Sequence, residues 1–212
     1  MRAELDHLVV IAPTLADGAD FVIRALGVEP QAGGSHPLMG THNLVLRLGA
    51  DAYLEIIAID PAAPRPTRPR WFALDDLPSS ATARLATWVA RTSGLDEAAD
   101  RVASCVGNVE TMTRGSLKWR ITIPADGSLA QGGLIPSLIE WQSAVRPAMN
   151  MSDSGCSLLM LEAFHAEPGF LREELGRLGL NGVVTVTALQ TARLPYLVAH
   201  IDTPAGQRLL GV

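Results

Sequence analysis

The sequence predicts an α+β protein assembled from a repeated β-α-β-β-β unit. A strand-like stretch runs into a helical stripe closed by glycine at three places: Leu26-Gly27-Val28, Val106-Gly107-Asn108 and Leu178-Gly179-Leu180. The first two of these segments continue into further strands. The last strand of each carries a glutamate inside an apolar run, Tyr53-Leu54-Glu55-Ile56-Ile57 and Ser137-Leu138-Ile139-Glu140-Trp141. Ionisable groups at matching places in two copies point to a shared cavity, where binding chemistry concentrates.

In the first unit, residues 1–60, Leu5 to Ala12 is rich in β-branched residues and reads as a strand. Thr14 with Asp17 three residues on has the spacing of a capping box with a shorter acid. Leu15, Ala19, Val22, Ile23 and Leu26 then fall on one helical face, and Gly27 supplies the left-handed cap. Gly33 to Gly40 reads as turn. From Thr41 to Leu48 the pattern alternates, with His42, Leu44, Leu46 and Leu48 on one face and Thr41, Asn43, Val45 and Arg47 on the other. Gly49-Ala50-Asp51 reverses the chain into a last strand, Ala52 to Ile59.

Four prolines (Pro61, Pro64, Pro66, Pro69) exclude a regular element and mark residues 61–82 as a linker, with Trp71 to Leu77 as a short docking segment. The second unit spans residues 83–145. Ser93 and Asp96 repeat the cap spacing, and Leu95, Ala99, Val102 and Val106 form the stripe. Asn108 to Arg114, Leu117 to Ile123 and Leu134 to Gln142 read as strands, and Pro124 to Gly133 as a loop over the cavity mouth. Residues 156–212 form a shorter β-α-β-β copy, with Leu171, Leu175 and Leu178 marking its helix.

The 212 residues are 48% hydrophobic and 18% charged, enough apolar material for a core. A formal charge of -5 with scattered arginines argues against a nucleic-acid partner. No run approaches the ~20 apolar residues needed to span a bilayer, and the N-terminus has no signal-peptide h-region. Cys105 and Cys156 lack metal-type spacing and read as reduced thiols, so a soluble cytoplasmic protein is expected. Neither Gly33-Gly34 nor Gly132-Gly133 precedes a helix as a phosphate-cradling loop must, and no serine or cysteine sits in a nucleophile elbow.

Taken in order, Leu5-Asp6-His7-Leu8-Val9-Val10, His36-Pro37, Gly40-Thr41-His42-Asn43, Tyr53-Leu54-Glu55-Ile56-Ile57 and Gly132-Gly133-Leu134-Ile135-Pro136 leading to Ile139-Glu140-Trp141 resemble the vicinal oxygen chelate superfamily, in particular its glyoxalase-like domain proteins. The resemblance implies paired βαβββ modules curled into a mostly antiparallel half-barrel around a central site, within one chain or across a homodimer. It further implies a divalent cation (Fe, Mn, Zn, Ni or Mg) held by His7, Glu55 and Glu140, with the two glutamates as catalytic groups. The fourth ligand position falls on Thr87, a poor donor for any of these ions.

Each of these residues also has a plainer reading. His7 suits a structural histidine bonded to backbone. Glu55 and Glu140 must be paired, metal-bound or protonated if buried, and they are unremarkable if they point outward into water. If the cavity face includes both glutamates, alternation brings Tyr53 and Gln142 to it. Trp141, His36 and either Trp119 or Arg120 are further candidates to line it, Arg120 suiting a carboxylate substrate. Two functions stay open: a metal-dependent lyase, isomerase or dioxygenase acting on a small oxygen-bearing molecule, and a metal-free small-molecule binding or sequestering protein. A scaffold with a vestigial cavity is the third.

Overall fold

The computed structural model describes residues 3–102, 106–143, 146–189 and 194–211. Twelve strands form two sheets. The larger contains β1 (Glu4–Ile11), β2 (Gln31–His36), β3 (Thr41–Arg47), β4 (Tyr53–Ile59), β5 (Arg84–Arg91), β6 (Asn108–Arg114), β7 (Leu117–Ile123) and β8 (Ser137–Trp141). Its order, β2-β3-β4-β1-β5-β8-β7-β6, sets the two four-stranded modules side by side, joined by the antiparallel β1–β5 pair. Within each module the last strand lies parallel to the first: β4 beside β1 and β8 beside β5. The fold is therefore the α+β curl of paired modules that the sequence predicts.

Local chemistry accounts for most boundaries. Helix α1 (Leu15–Leu26) opens on Thr14, whose Oγ1 accepts from the Asp17 N–H at 3.1 Å and donates to the Asp17 carboxylate at 2.6 Å. It closes on Gly27 in the left-handed conformation. Three expectations change. The stretch read as turn from Gly33 contains β2, which supplies the third strand after α1; Gly33-Gly34 falls at a register shift against β3. Helix α2 (Leu95–Arg101) is shorter than its stripe, and it opens on Gly94 rather than on a Ser93 cap. The C-terminal copy has four strands where three were expected. These are β9 (Ser157–His165), β10 (Thr185–Ala188), β11 (Tyr196–Thr203) and β12 (Gly206–Leu210), ordered β10-β9-β11-β12, with helix α3 (Pro168–Arg177) between the first two. Cys105 lies outside the described residues; Cys156 is a buried free thiol. No helix is long and apolar enough to cross a membrane.

The large sheet has a core on each face. Its convex face (Leu8, Val10, Leu54, Ile56, Trp88, Leu138) packs against α1, α2 and the C-terminal sheet in one continuous cluster. Each large apolar side chain so buried contributes roughly 1.5–3 kcal/mol. The concave face (Val9, Ile11, Ile57, Val89, Trp119, Ile139) closes on Trp71 and Phe72, which the turn Trp71–Asp76 carries inward. That turn is the docking segment expected after the prolines. The loop after β7 packs on it, the Ala73 N–H donating to Gly127 O at 2.8 Å. At the open side of the curl the sheet's two edge strands meet, with Arg114 of β6 reaching His36 of β2.

Candidate functional site

A small enclosed cavity of about 30 Å³ lies on the concave side, walled by His7, His36, Asn43, Tyr53, Glu55 and Arg114 together with aromatic side chains. That volume holds about one or two waters. Regular alternation would send Asp6 and His7 to opposite faces. A register shift against β5 between Leu5 and His7 breaks the alternation, and the two side chains bond to each other. The Asp6 carboxylate accepts from His7 Nδ1 at 2.7 Å through one oxygen and from Trp141 Nε1 at 2.9 Å through the other. On its far side His7 Nε2 faces Glu55 Oε2 at 3.6 Å, and its ring stacks on Tyr53 at 4.5 Å between centroids. The other Glu55 oxygen accepts from Asn43 Nδ2 at 2.5 Å.

Burial alone would push His7 down, but its bonds to Asp6 and Glu55 outweigh that and raise its pKa to about 9. Burial would likewise raise Glu55; the facing His7, with His36 and Asn43, instead lowers it to about 2. His36 behaves differently. Burial lowers it to about 4, with the Arg114 charge acting in the same direction. The geometry gives its tautomer: Arg114 Nη1, which can only donate, lies 3.1 Å from His36 Nε2, so the proton sits on Nδ1 and faces Thr41 Oγ1 at 3.2 Å. The cavity thus encloses two cations, His7 and Arg114, against two carboxylates, Asp6 and Glu55. Burial of Tyr53 pushes its phenol well above the usual range.

The structure brings together His7, Glu55, Tyr53, His36 and Trp141 among the expected site residues, and Trp119 rather than Arg120 turns inward from β7. Glu140, Arg120 and Gln142 do not join them. In β8 it is Ile139 and Trp141 that face the cavity, so Glu140 points the other way. There it pairs with Arg120 at 3.3 Å and accepts from the Leu95 N–H at 3.5 Å at the start of α2, where Arg120 also binds Asp96. Gln142 borders the same outer groove. The expected convergence of two glutamates fails on phase: Glu140 falls on the odd side of an alternation whose even side faces inward, and one step in a strand reverses every side chain.

Four residues that shape the site were not singled out for it. Asp6 needs the bulge, which leaves no trace in residue types. Asn43 was legible, since it alternates with Val45, which pairs directly with Glu55, and so sits diagonally across from that carboxylate. Arg114 arrives only because the curl brings β6 to β2. Trp71 was placed in a docking segment but not in the cavity.

The divalent cation implied by the sequence resemblance does not fit this donor set. His7 Nε2 and His36 Nε2 lie 3.6 and 3.9 Å from the Glu55 oxygens. The Arg114 guanidinium already occupies the His36 nitrogen and places a fixed positive charge where the ion would sit. Glu140 is on the other face. The Thr87 hydroxyl donates to Gly133 O at 2.9 Å instead of presenting an oxygen to the cavity. Among the described residues no group of three or more His, Cys, Asp or Glu side chains is arranged to hold a metal ion.

Comparison with known proteins agrees with the fold. Among solved structures, the chain is similar to a hypothetical protein from Staphylococcus aureus, with 11% identity over 93% of this chain and 91% of that one and a TM-score of 0.60. It is more distantly similar to a methylmalonyl-CoA epimerase variant from Streptomyces coelicolor in complex with 2-nitronate-propionyl-CoA (17% identity, 68% of this chain, 100% of that one, TM-score 0.44). The methylmalonyl-CoA epimerase from Mycobacterium tuberculosis is similar at 16% identity over 67% of this chain and 89% of that one, with a TM-score of 0.42. No curated protein matches the chain. The family model described as a glyoxalase-like domain matches residues 5–179, and the chain belongs to that family.

Proposed function

We propose that the protein binds a small oxygen-bearing organic molecule in the cavity of the curl, and that it does so without a metal ion. The supporting observation is the closed ion cluster: Asp6, His7, Glu55 and Arg114 compensate one another, with Asn43 and His36 completing the bonds. A cavity whose charges already cancel favours an uncharged guest, because an added full charge would be buried without a partner. Donors from Arg114 and Asn43 meet an oxygen, and the aromatic and aliphatic walls meet an apolar body.

The same cluster disfavours acid–base catalysis as the main role. A general base works best with a pKa near the working pH. Glu55, at about 2, is always ionised and weakly basic; His7, at about 9, holds its proton. Both groups are tuned to stay charged, which suits holding a ligand better than relaying protons.

A thermal-shift screen of small dicarbonyls, catechols and diacids, run with and without chelator, tests the reading. A compound present at 100 times its dissociation constant stabilises the folded state by about 2.7 kcal/mol. The expected result is a rise in Tm that chelator leaves unchanged. Stoichiometric metal in the purified protein, lost in His7→Ala, would overturn it.

A further inference from the structure

The indole N–H of Trp71 has no hydrogen-bond partner among the described residues, although Trp71 is only 4% exposed and lines the cavity. Other buried indoles here are provided for: Trp88 Nε1 donates to Leu134 O at 3.0 Å and Trp141 Nε1 to Asp6 at 2.9 Å. A buried donor without an acceptor is rare in folded proteins, and each case calls for an explanation.

The backbone that carries Trp71 adds an independent observation. Phe72 and Ala73 both adopt left-handed conformations, with φ of 59° and 54°, which side chains larger than glycine's rarely tolerate. The strain is held from several sides. Arg70 pairs with Asp75 at 2.6 Å, the Arg70 N–H donates to the same carboxylate at 2.8 Å, and Arg70 Nε reaches Gly40 O at 3.3 Å. Ala73 is fixed to Gly127. Backbone strain that surroundings over-determine in this way clusters at ligand sites. Its effect here is to set the Trp71 ring edge-on to His36, 5.1 Å between centroids, beside the residues that hold Glu55.

We propose that Trp71 is a ligand-binding residue: its indole N–H donates to the carbonyl or hydroxyl oxygen of a small cyclic guest whose apolar body rests against Phe72, Trp119, Ile121 and Ile139. The inference rests on the metal-free binding reading and names the group that reads the guest's oxygen. It separates guests by chemistry, since a molecule of the same shape without an acceptor leaves the donor unpaired.

The test uses phenol and cyclohexanone as probes, with toluene and methylcyclohexane as oxygen-free counterparts. Indole N–H resonances of the ¹⁵N-labelled protein are followed, with Trp71 assigned through Trp71→Phe. The expected result is a downfield shift of the Trp71 indole proton with the oxygen-bearing probes only, and at least tenfold weaker binding of them by Trp71→Phe. If that variant fails to fold, the wild-type shift decides by itself. Movement of the Asn43 side-chain amide with the Trp71 indole unmoved would overturn this inference and leave the cavity reading intact. So would a Trp71 indole proton already bonded to trapped water that no probe displaces. If neither signal responds to any probe, both proposals fail.

Discussion

Asp6 and His7 are consecutive in a strand, yet their side chains meet 2.7 Å apart in the same hollow. The register shift beside them makes this possible, and it turns an isolated imidazole into the centre of a chain from Trp141 through Asp6 and His7 to Glu55. The electrostatics of the cavity follow from that one irregularity.

The pH dependence of stability should carry its mark. His7 is raised from 6.5 to about 9, so its contribution is full below pH 6.5 and lost as pH rises through 9. His36 is depressed from 6.5 to about 4, so its contribution is present above pH 6.5 and lost as pH falls through 4. Glu55, depressed from 4.5 to about 2, adds a further loss below pH 4.5. Stability should therefore peak near neutrality, and His7→Gln should flatten the alkaline limb between pH 6.5 and 9. Urea melts across that range check it; an unchanged limb would mean His7 carries no extra proton in the folded state.

The two glutamates should behave oppositely. Removing the charge of Glu55 leaves His7 with a single carboxylate, and breaking a buried pair costs about 3–5 kcal/mol. Glu140 is half-buried and shares Arg120 with Asp96, so Glu140→Gln should cost at most about 1 kcal/mol. Paired denaturation curves of Glu55→Gln and Glu140→Gln decide between this arrangement and one in which both acids serve the cavity.

Arg114 is the reason the donor set rejects a metal ion. Arg114→Met removes the guanidinium from His36 Nε2 and leaves two imidazoles and a carboxylate around the cavity. Zinc should raise the Tm of this variant and not that of the wild type. Equal zinc responses would show that the guanidinium excludes nothing.

Gly133 should tolerate no side chain. Its φ is 95°, and a Cβ there would lie 1.8 Å from Ala86 O, a rigid backbone atom in β5. Gly133→Ala is expected to destabilise by at least about 2 kcal/mol in chemical denaturation, and to disturb the Thr87 hydroxyl that bonds its carbonyl.

Much of the fold was legible because it rests on local chemistry. The Thr14 cap, the α1 stripe, Gly27 and the alternation of β3 each act within a few residues, and each forms as read. β2 was missed because Gly33-Gly34 looks like a turn and is a bulged edge strand. In the site, His7, Tyr53 and Glu55 could be read because β1 and β4 are adjacent parallel strands of one module. Glu140 misled because an apolar run on both sides of a glutamate gives no phase when both faces of the strand are covered. Arg114 and Trp71 depend on closure of the curl, a tertiary event with no counterpart in residue spacing.

The convex packing has one more consequence. Leu161, Ala163, Leu197 and Ile201 from the C-terminal sheet share a continuous cluster with Leu8, Trp88 and Leu138 of the curl. The two layers therefore gain and lose their stability together, and the molecule melts as one cooperative unit. A truncation ahead of Ser157 would leave an oily surface in water, an aggregation template and not a smaller working protein. Substitutions on the opposite, inward side of the same strands can retune what the hollow accepts without dissolving that union.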